Sequence, residues 1–384
     1  MNGGTALNPI IEVDQNKLSE NLATIQGITR DNVKIMAIIK SNAYGHGILE
    51  IAKALSFQVD CFGVGFFNEA LALREQGIIQ DILVLGPSYD FALAIENKIT
   101  ITVESIGQGL QLFDFVEKNL MNTSKKISIH IKVDTGFGRF GFREKDLKLF
   151  LEQYKKYEEY IMIRGFYSHI ATTKSGDDLY VQKQNERFIQ YKMLFEDFVK
   201  FKHVIFHLAN SEIAIDYPSM HYDMIRIGNA LFGPVNSKKK IVLKRVARLM
   251  LPVVSVHERK KGDRIGYGLR YRFKKNGKMG VIESGFYEGI GLEKSPLGQS
   301  IKYRIIFYMK SLIKAMLRKD YVNYKNVKLP IIGMVNMQFT MVDVSDVNIE
   351  VGDFVELIKS PLYIKENVER RHILEGNHGI SNES

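Results

Sequence analysis

The sequence has a single cysteine, Cys61, and no long apolar run. One cysteine excludes a disulfide within the chain and indicates a reducing compartment, so we expect a cytoplasmic protein. No apolar run reaches the roughly 20 residues that a membrane-spanning helix needs. The opening residues, Met1-Asn2-Gly3-Gly4, lead into polar sequence that is unlike a secretory signal. From these scarcities we exclude a disulfide-stapled secreted domain and a helical membrane protein.

Acidic residues are scarce in one segment of the chain. Residues 301–328 carry eight basic side chains and one acid, Asp320, so the segment supplies +7 of the +10 net charge. A basic chain suits acidic ligands, nucleic acid or a membrane surface. Because the charge is concentrated in one segment, it says little about the rest of the protein. We expect no nucleic-acid partner and no metal site.

Part of this basic segment, residues 305–318, has the periodicity of an amphipathic helix. Ile305, Met309 and Leu312 share one face, and Lys310 and Lys314 lie opposite. Such a helix can pack on its own domain, or it can offer a surface to a partner or to an anionic membrane. The sequence leaves both interpretations open.

Short β-rich runs alternate with helix-like stretches through the first 233 residues. Eight such runs over roughly 230 residues predict a (β/α)₈ barrel. Beyond about residue 237, strand-like runs follow one another without regular helices, which predicts a β-rich C-terminal domain. We therefore expect a barrel over 10–236, a β-rich domain over 237–365 joined by residues 1–9, and a polar tail over 366–384. The predicted barrel strands are 33–40, 61–65, 81–85, 99–103, 127–133, 160–167, 203–208 and 224–232.

Lys40 stands where the first predicted strand gives way to a glycine-rich turn, 41–47. An apolar strand buried on both faces places its carboxyl end at the mouth of a barrel, where barrel enzymes carry their chemistry. Partial desolvation there lowers the pKa of an amine and frees a nucleophilic lone pair. The alternative is a lysine whose ammonium group reaches water from the strand end. The local pattern leaves both open.

The last two predicted barrel strands end in residues that suit a phosphate site. Asn210 and Ser211 follow the seventh strand, and Gly228 and Asn229 lie in the eighth. Barrel proteins commonly bind phosphate here, where a serine hydroxyl and backbone amides can donate hydrogen bonds. An ordinary strand–helix turn with a helix cap explains the same residues. Together with Lys40, they favour a phosphate-bearing carbonyl cofactor.

Three further residues are ambiguous when each is taken alone. Arg139 follows the fifth strand in glycine-rich sequence and suits either an anion site or a surface turn. His169 ends the sixth strand and is either a structural residue or a catalyst. Tyr267 lies between two glycines, as an exposed tyrosine in a turn would.

In their order along the chain, these segments resemble the alanine racemase family, which are pyridoxal 5'-phosphate enzymes of fold type III. The resemblance covers residues from about 10 to about 358. Its best match is 38–47, Ile-Ile-Lys-Ser-Asn-Ala-Tyr-Gly-His-Gly, which is similar to the cofactor-lysine signature. The second is 132–141, Lys-Val-Asp-Thr-Gly-Phe-Gly-Arg-Phe-Gly. Further matches are 209–211, 225–228, 266–268, 333–337 and 341–343.

The resemblance implies a role for each candidate residue. Lys40 would form an imine with the cofactor and serve as one of two acid/base groups. Tyr267 would be the other, reaching the cofactor from the partner subunit of a homodimer. Arg226 would contact the pyridine nitrogen. The remaining implied assignments are Tyr44, Ser211, Gly228 and Asn229 for the phosphate, Asn210 and His169 beside the cofactor, Arg139 and the backbone of Met337 for the substrate carboxylate, and Lys132 for a lysine that is carbamylated in many members.

The implied reaction interconverts L- and D-alanine, or a related small or polar amino acid, by proton transfer at Cα. Removal of the proton on one face and its return on the other need two bases, one amine and one phenol. The expected partner is therefore a small amino-acid substrate.

The second half of the implied site departs from the family pattern. Gln338, in 336–339, replaces the acid of a Cys-Met-Asp-Gln run, and Gly285–Gly289 reads Gly-Phe-Tyr-Glu-Gly instead of Gly-Tyr-Ala-Asp-Gly. Residues 301–326 form a basic helical insertion relative to most members. Because this domain lines the substrate, the sequence leaves open another reaction of the same cofactor (decarboxylase, lyase or epimerase) and non-catalytic cofactor binding.

Overall fold

The computed structural model describes residues 7–172, 177–199, 203–292, 300–316 and 320–374. They divide into two compact units, one over Gln15–Val246 and one that combines Met1–Asp14 with Ala247–Ser384. The unit boundaries thus fall later in the chain than the expected ones, because strand β1 (Ile10–Asp14) pairs within the second unit. Within the described ranges, no helix has both the length and the apolar character that a membrane crossing requires.

The unit Gln15–Val246 is built on eight parallel strands, each beside its predecessor, with the first also paired to the eighth. Between the seventh and eighth strands, the Asp223 amide donates to the Phe206 carbonyl (3.0 Å) and the Arg226 amide to the Ala209 carbonyl (3.0 Å). These bonds complete the ring and confirm the predicted (β/α)₈ barrel. The strands are β2 (Lys34–Ile38), β3 (Cys61–Val64), β4 (Asp81–Pro87), β5 (Thr100–Val103), β6 (Ile127–Lys132), β7 (Ile161–Tyr167), β8 (Ile205–His207) and β9 (Met224–Ile227).

Helices follow the barrel strands and pack one apolar stripe against them. Helix α6 shows why, since Leu112, Phe113 and Val116 fall on one face and are buried, while the Ser105 hydroxyl caps its first turn. The helices are α1 (Gln15–Gln26), α3 (Ile48–Leu55), α4 (Phe67–Glu75), α5 (Phe91–Glu96), α6 (Ile106–Asn119), α7 (Glu144–Tyr154), α8 (Asp178–Phe198), α9 (Ser211–Asp216) and α10 (Asn229–Phe232), and the short element α2 (Lys40–Gly45) is a left-handed turn.

The β-rich unit is a closed ring of six strands with a two-stranded extension. Strand β10 is long and bends at an irregularity between Val253 and Ser255, so it pairs with β17 and β1 along one part and with β13 along the other. Helix α11 (Ile301–Met316) belongs to this unit. The strands are β10 (Ala247–Arg259), β11 (Arg264–Ile265), β12 (Tyr271–Arg272), β13 (Gly277–Ile282), β14 (Tyr321–Tyr324), β15 (Val327–Ile332), β16 (Thr340–Asp343), β17 (Phe354–Leu357) and β18 (Glu369–Ile373).

Two expectations for the β-rich unit are wrong. Residues 369–373 are not a polar tail, because β18 pairs in parallel with β1; residues 375–384 of that tail lie outside the described residues. Residues 321–324 of the expected helical insertion form β14, which pairs with β15. The helix itself begins at Ile301 rather than at residue 305, and its expected last residues, 317 and 318, lie outside the described ranges.

Candidate active site

Lys40 lies just past the end of β2, at the start of a left-handed turn. Ser41, Asn42, Ala43 and Tyr44 all have φ between 50° and 55°. This conformation costs an L-residue roughly 1–2 kcal/mol, so four in succession need strong support from the surrounding structure. The turn brings the chain from the strand to α3 within a few residues and leaves Lys40 at the carboxyl end of the barrel strands.

Glu69, at the start of α4, supplies much of that support. Its carboxylate accepts hydrogen bonds from the amides of Ser41 (2.6 Å), Gly65 (2.8 Å) and Phe66 (3.1 Å). The Asn42 side chain in turn accepts from the Ile48 amide (2.8 Å) and caps α3. Bonds between amides and a carboxylate are stronger than neutral ones, so Glu69 fixes the turn that carries Lys40.

The Lys40 amine lies among other cations. Burial lowers its pKa below the ordinary lysine value, Arg139 and then Arg226 lower the pKa further, and Glu69 opposes the shift. Gly65 leaves room for the Glu69 carboxylate, since a Cβ there would lie 3.2 Å from Glu69 Oε2. The arrangement gives Lys40 a larger neutral fraction than an exposed lysine, as a nucleophile or base requires.

Arg226, in β9, is buried at the centre of a hydrogen-bond cluster. Its Nη1 contacts the Nδ1 atom (2.9 Å) and the carbonyl oxygen (3.1 Å) of His207. Its Nη2 contacts the carbonyl oxygens of Ser168 (2.8 Å) and Leu208 (3.1 Å) and the Nδ1 atom of His169 (3.3 Å). Burial lowers the pKa of Arg226 to about 10, which still leaves the guanidinium charged at neutral pH. None of these bonds uses the Nε–H group.

A chain of neutral histidines continues outward from Arg226. Since the guanidinium only donates, His207 Nδ1 must accept, and its Nε2–H then donates to His130 Nδ1 (3.0 Å). Burial and the charge of Arg226 hold the pKa of His207 and His169 well below the usual range. Burial also lowers the pKa of His130 to about 3. The Tyr167 ring stacks on His207, with ring centres 4.7 Å apart, and fixes its plane.

Lys132 and Arg139 flank the same cluster. Burial, followed by the charges of Arg226 and Arg139, lowers the pKa of Lys132 to about 8. The Lys132 amine lies over the rings of Phe140 (5.3 Å) and Tyr167 (5.5 Å). A small cavity passes between these residues; it is lined by Lys132, Val133, Phe137, Arg139, Phe140, Ser168 and His169.

The ends of β8 and β9 form a compact polar cradle. The Ser211 hydroxyl is buried and accepts from the amides of Gly228 (3.1 Å) and Ala230 (3.4 Å). A Cβ on Gly228 would lie 2.5 Å from the Tyr44 hydroxyl oxygen, so only glycine lets that phenol approach. Burial raises the pKa of Tyr44 to about 12, so its O–H remains a donor. Next to this cradle, the Asn210 side chain caps α9 by accepting from the Ile213 amide (3.0 Å), and Asn229 is exposed.

The β-rich unit carries the remaining candidates. Tyr267 is 71% exposed on a tight turn between Gly266 and Gly268, both of which have φ of 70°. The two segments that depart from the family pattern lie side by side, since the amides of Phe286 and Tyr287 donate to the carbonyls of Asn336 (3.0 Å) and Met337 (2.9 Å). The Met337 side chain is exposed.

Sequence reasoning missed Glu69, His207 and His130. Glu69 lies 29 positions from Lys40, and no local pattern links them. A signal existed for His130, because it precedes Lys132 by two positions and so shares its strand face. His207 could have been noticed as a polar residue ending an apolar strand.

The fold and the clustered side chains define a (β/α)₈-barrel protein with a lysine-centred, cationic site at the carboxyl ends of its strands and a β-rich unit in the same chain. Residues 13–235 match the family model of the alanine racemase N-terminal domain, and residues 246–383 match that of the C-terminal domain. The chain belongs to the alanine racemase family.

Several curated proteins and solved structures are similar along most of the chain. Alanine racemase 1 of Caldanaerobacter subterraneus is 33% identical, over 91% of this chain and 84% of that protein. Alanine racemase of Methanococcus maripaludis is 31% identical, over 90% and 87%. The structure of alanine racemase from Bacillus anthracis with bound L-Ala-P superposes with a TM-score of 0.76 at 28% identity, over 93% of this chain and 86% of that one. A Clostridium difficile alanine racemase gives a TM-score of 0.82 at 25% identity, over 96% and 97%.

Proposed function

We propose that this protein is a pyridoxal 5'-phosphate-dependent alanine racemase, with Lys40 and Tyr267 as its two proton-transfer groups. The proposal depends on one observation: three features lie at the same end of the barrel. They are the partly desolvated Lys40, the buried and charged Arg226, and the cradle around Ser211. The names of the similar proteins support alanine as substrate.

The residues present fit pyridoxal 5'-phosphate. The Ser211 hydroxyl, the amides near Gly228 and the Tyr44 phenol would hold a phosphate group. The Nε–H of Arg226 would meet the pyridine nitrogen, since the two Nη atoms are already bonded to the protein. His169, which the Arg226 guanidinium contacts, would stand beside the cofactor ring.

The chain's own groups then perform the proton transfers. When bound, the cofactor withdraws electrons from the substrate and so acidifies its Cα–H. The Lys40 amine, neutral in an increased fraction, takes or returns a proton on one side of Cα, and the Tyr267 hydroxyl does so on the other. With a pKa of about 10, Arg226 keeps its proton at neutral pH, so it donates a hydrogen bond to a ring nitrogen without transferring a proton to it.

Arg139 and Lys132 would serve the substrate carboxylate. Arg139 offers the charge and the backbone of Met337 offers the second contact. Lys132, with a pKa of about 8, has a neutral fraction whose amine can add carbon dioxide and release one proton to give a carbamate. Counted from the ammonium form, two protons leave and a positive charge is replaced by a negative one. Such a carbamate would offset the cations around it and orient Arg139.

We further propose a homodimer in which the partner subunit supplies Tyr267 to each site. The display of Tyr267 on an exposed turn supports this arrangement. Cys61, the lone cysteine, supports a cytoplasmic location.

The test follows proton exchange at Cα of each alanine enantiomer in deuterated water. Wild-type protein should exchange the α-proton of both enantiomers and interconvert them without a change in chemical formula other than deuterium. Lys40→Ala should abolish both activities, and its matched control Lys53→Ala, an exposed lysine of α3, should retain them. Tyr267→Phe should abolish interconversion yet leave exchange with one enantiomer, and Tyr89→Phe should behave as wild type.

Absence of exchange with either enantiomer in cofactor-loaded wild type would refute the racemase. Loss of carbon dioxide or of a side-chain group from the substrate would show another reaction of the same cofactor. Carbamylation of Lys132 is tested separately by trapping with isotopically labelled bicarbonate, where Lys132→Gln should carry no label.

A further inference from the structure

Helix α11 exposes an apolar face that the rest of the described chain does not cover. At 16 residues it is about 24 Å long. Six of its apolar side chains lie between 52% and 76% exposed: Ile301, Ile305, Met309, Leu312, Ile313 and Met316. With about 100° between successive residues, these side chains, Ile306 and Tyr308 span an arc of about 160°, within which Lys302 is the one basic residue. Single exposed apolar residues are ordinary, but a contiguous face of this width marks an interaction surface.

The helix turns its opposite side toward the protein. Phe307 projects from the arc that also carries Lys310 and Arg304, and among the side chains described in α11 it alone is half-buried. A helix that served only its own domain would bury the broad apolar arc and expose the basic one. In α11 both arcs are exposed and Phe307 alone is half-buried among the described side chains, so packing within the domain does not explain the apolar arc.

The charge on the helix specifies what can cover the face. Between Ile301 and Met316 the sequence has four basic residues and no acid. Three of them, Lys302, Arg304 and Lys310, form no ion pair within the described part of the chain. A second copy of this chain would bring the same four charges and a net charge of +10 against them, which opposes self-association through this face.

We propose that α11 docks this protein on an anionic lipid surface. A broad apolar arc with long aliphatic and tyrosine side chains, bordered by lysine and arginine, is the pattern of a helix that lies in the plane of a membrane interface. The apolar side chains enter the boundary between headgroups and acyl chains, and the lysine and arginine stems extend their charges to lipid phosphates. This proposal is independent of the reaction, because α11 contains none of the candidate site residues.

The absence of tryptophan from the chain gives a clean reporter. Tyr308→Trp, on the apolar arc, should shift its emission to the blue and be quenched by brominated acyl chains when vesicles of equal parts phosphatidylglycerol and phosphatidylcholine are added. The matched control Phe57→Trp, at a barrel residue that is 94% exposed, should show neither effect. Equal responses from both reporters would overturn the proposal.

Flotation with the same vesicles separates the contribution of charge from that of apolar contact. Neutralising Lys302, Arg304 and Lys310 to glutamine should weaken binding about a hundredfold, at about fivefold for each charge near an anionic surface. The control Lys53→Gln/Lys125→Gln/Lys183→Gln removes the same charge from the barrel and should weaken it far less. Met309→Ser/Leu312→Ser should abolish binding, and raising the ionic strength from about 0.1 M to about 1 M should weaken binding by wild type.

Several results would reject the lipid surface. Equal losses in the two triple variants would mean attraction by overall charge, and full binding by Met309→Ser/Leu312→Ser would mean that the apolar face is not used. Self-association that Leu312→Ser abolishes would assign the face to a second copy. Binding to polyglutamate through the apolar face, without binding to vesicles, would assign it to an acidic protein. Far-ultraviolet circular dichroism and the thermal unfolding of each variant report whether it is folded.

Discussion

The buried His130 should make this protein less stable in acid, and one substitution can measure how much of that loss of stability is due to His130. The pKa of His130 is about 3 in the folded protein, against 6.5 for an ordinary histidine. As the pH falls below 6.5, the unfolded chain takes up a proton there and the folded chain does not. Stability that is present above pH 6.5 is therefore lost progressively until about pH 3. At about 1.36 kcal/mol per pH unit, the protonation of His130 in the unfolded chain lowers the free energy of unfolding by about 2.5 kcal/mol between pH 6 and pH 4.

His130→Asn should remove that loss and keep the hydrogen bond. The asparagine Oδ1 can take the place of Nδ1 as the acceptor for the His207 Nε2–H group, and it does not titrate in this range. We expect the free energy of unfolding, from urea titrations at each pH, to fall less steeply in the variant by about 1.3 kcal/mol per pH unit between pH 6 and pH 4. His203→Asn, at an exposed histidine, should keep the wild-type slope. Parallel slopes for wild type and His130→Asn would refute the neutral histidine chain.

Three further substitutions test the site. Glu69→Gln removes a negative charge that raises the pKa of Lys40, so in the direction in which Lys40 takes the proton the acidic limb of the pH–rate profile should move to lower pH, and kcat should fall about tenfold as the bond to the turn weakens. Gly228→Ala should weaken cofactor binding about tenfold in a spectroscopic titration, because its Cβ displaces the Tyr44 hydroxyl; Tyr44→Phe/Gly228→Ala should bind no worse than Tyr44→Phe. Ser41→Val should lower the free energy of unfolding by about 1–2 kcal/mol, since a β-branched residue tolerates φ of 54° poorly, and Ser41→Gly should be nearly neutral.

The barrel could be predicted from sequence because its strands are buried on both faces and so appear as nearly continuous apolar runs. Strand β18 was missed for the opposite reason. Its Glu369-Arg370-Arg371-His372 sequence is polar, as suits the outermost strand of a sheet, and resembles a tail. The length of the eighth strand was overestimated, since 229–232 turn into helix α10.

The candidate site was predictable where one short motif carries several of its residues, as in 38–47. What the sequence could not show is the conformation of that motif. Serine, alanine and tyrosine have no preference for a left-handed turn, and much of its support comes from the distant Glu69 carboxylate. The same holds for the tautomers of His207 and His130, which follow from the charge of Arg226.

The dependence of the Lys40 turn on Glu69 sets an order of events in folding. During synthesis Lys40 is made before Glu69, so until Glu69 is added the Ser41 amide lacks its carboxylate acceptor and the four left-handed residues lack their main support. The lysine takes its place only after β3 and α4 have docked beside β2. A peptide of residues 38–47 would contain the lysine but would not hold it in this position. The same is expected when these residues are grafted into a barrel that has no carboxylate at the start of its second helix.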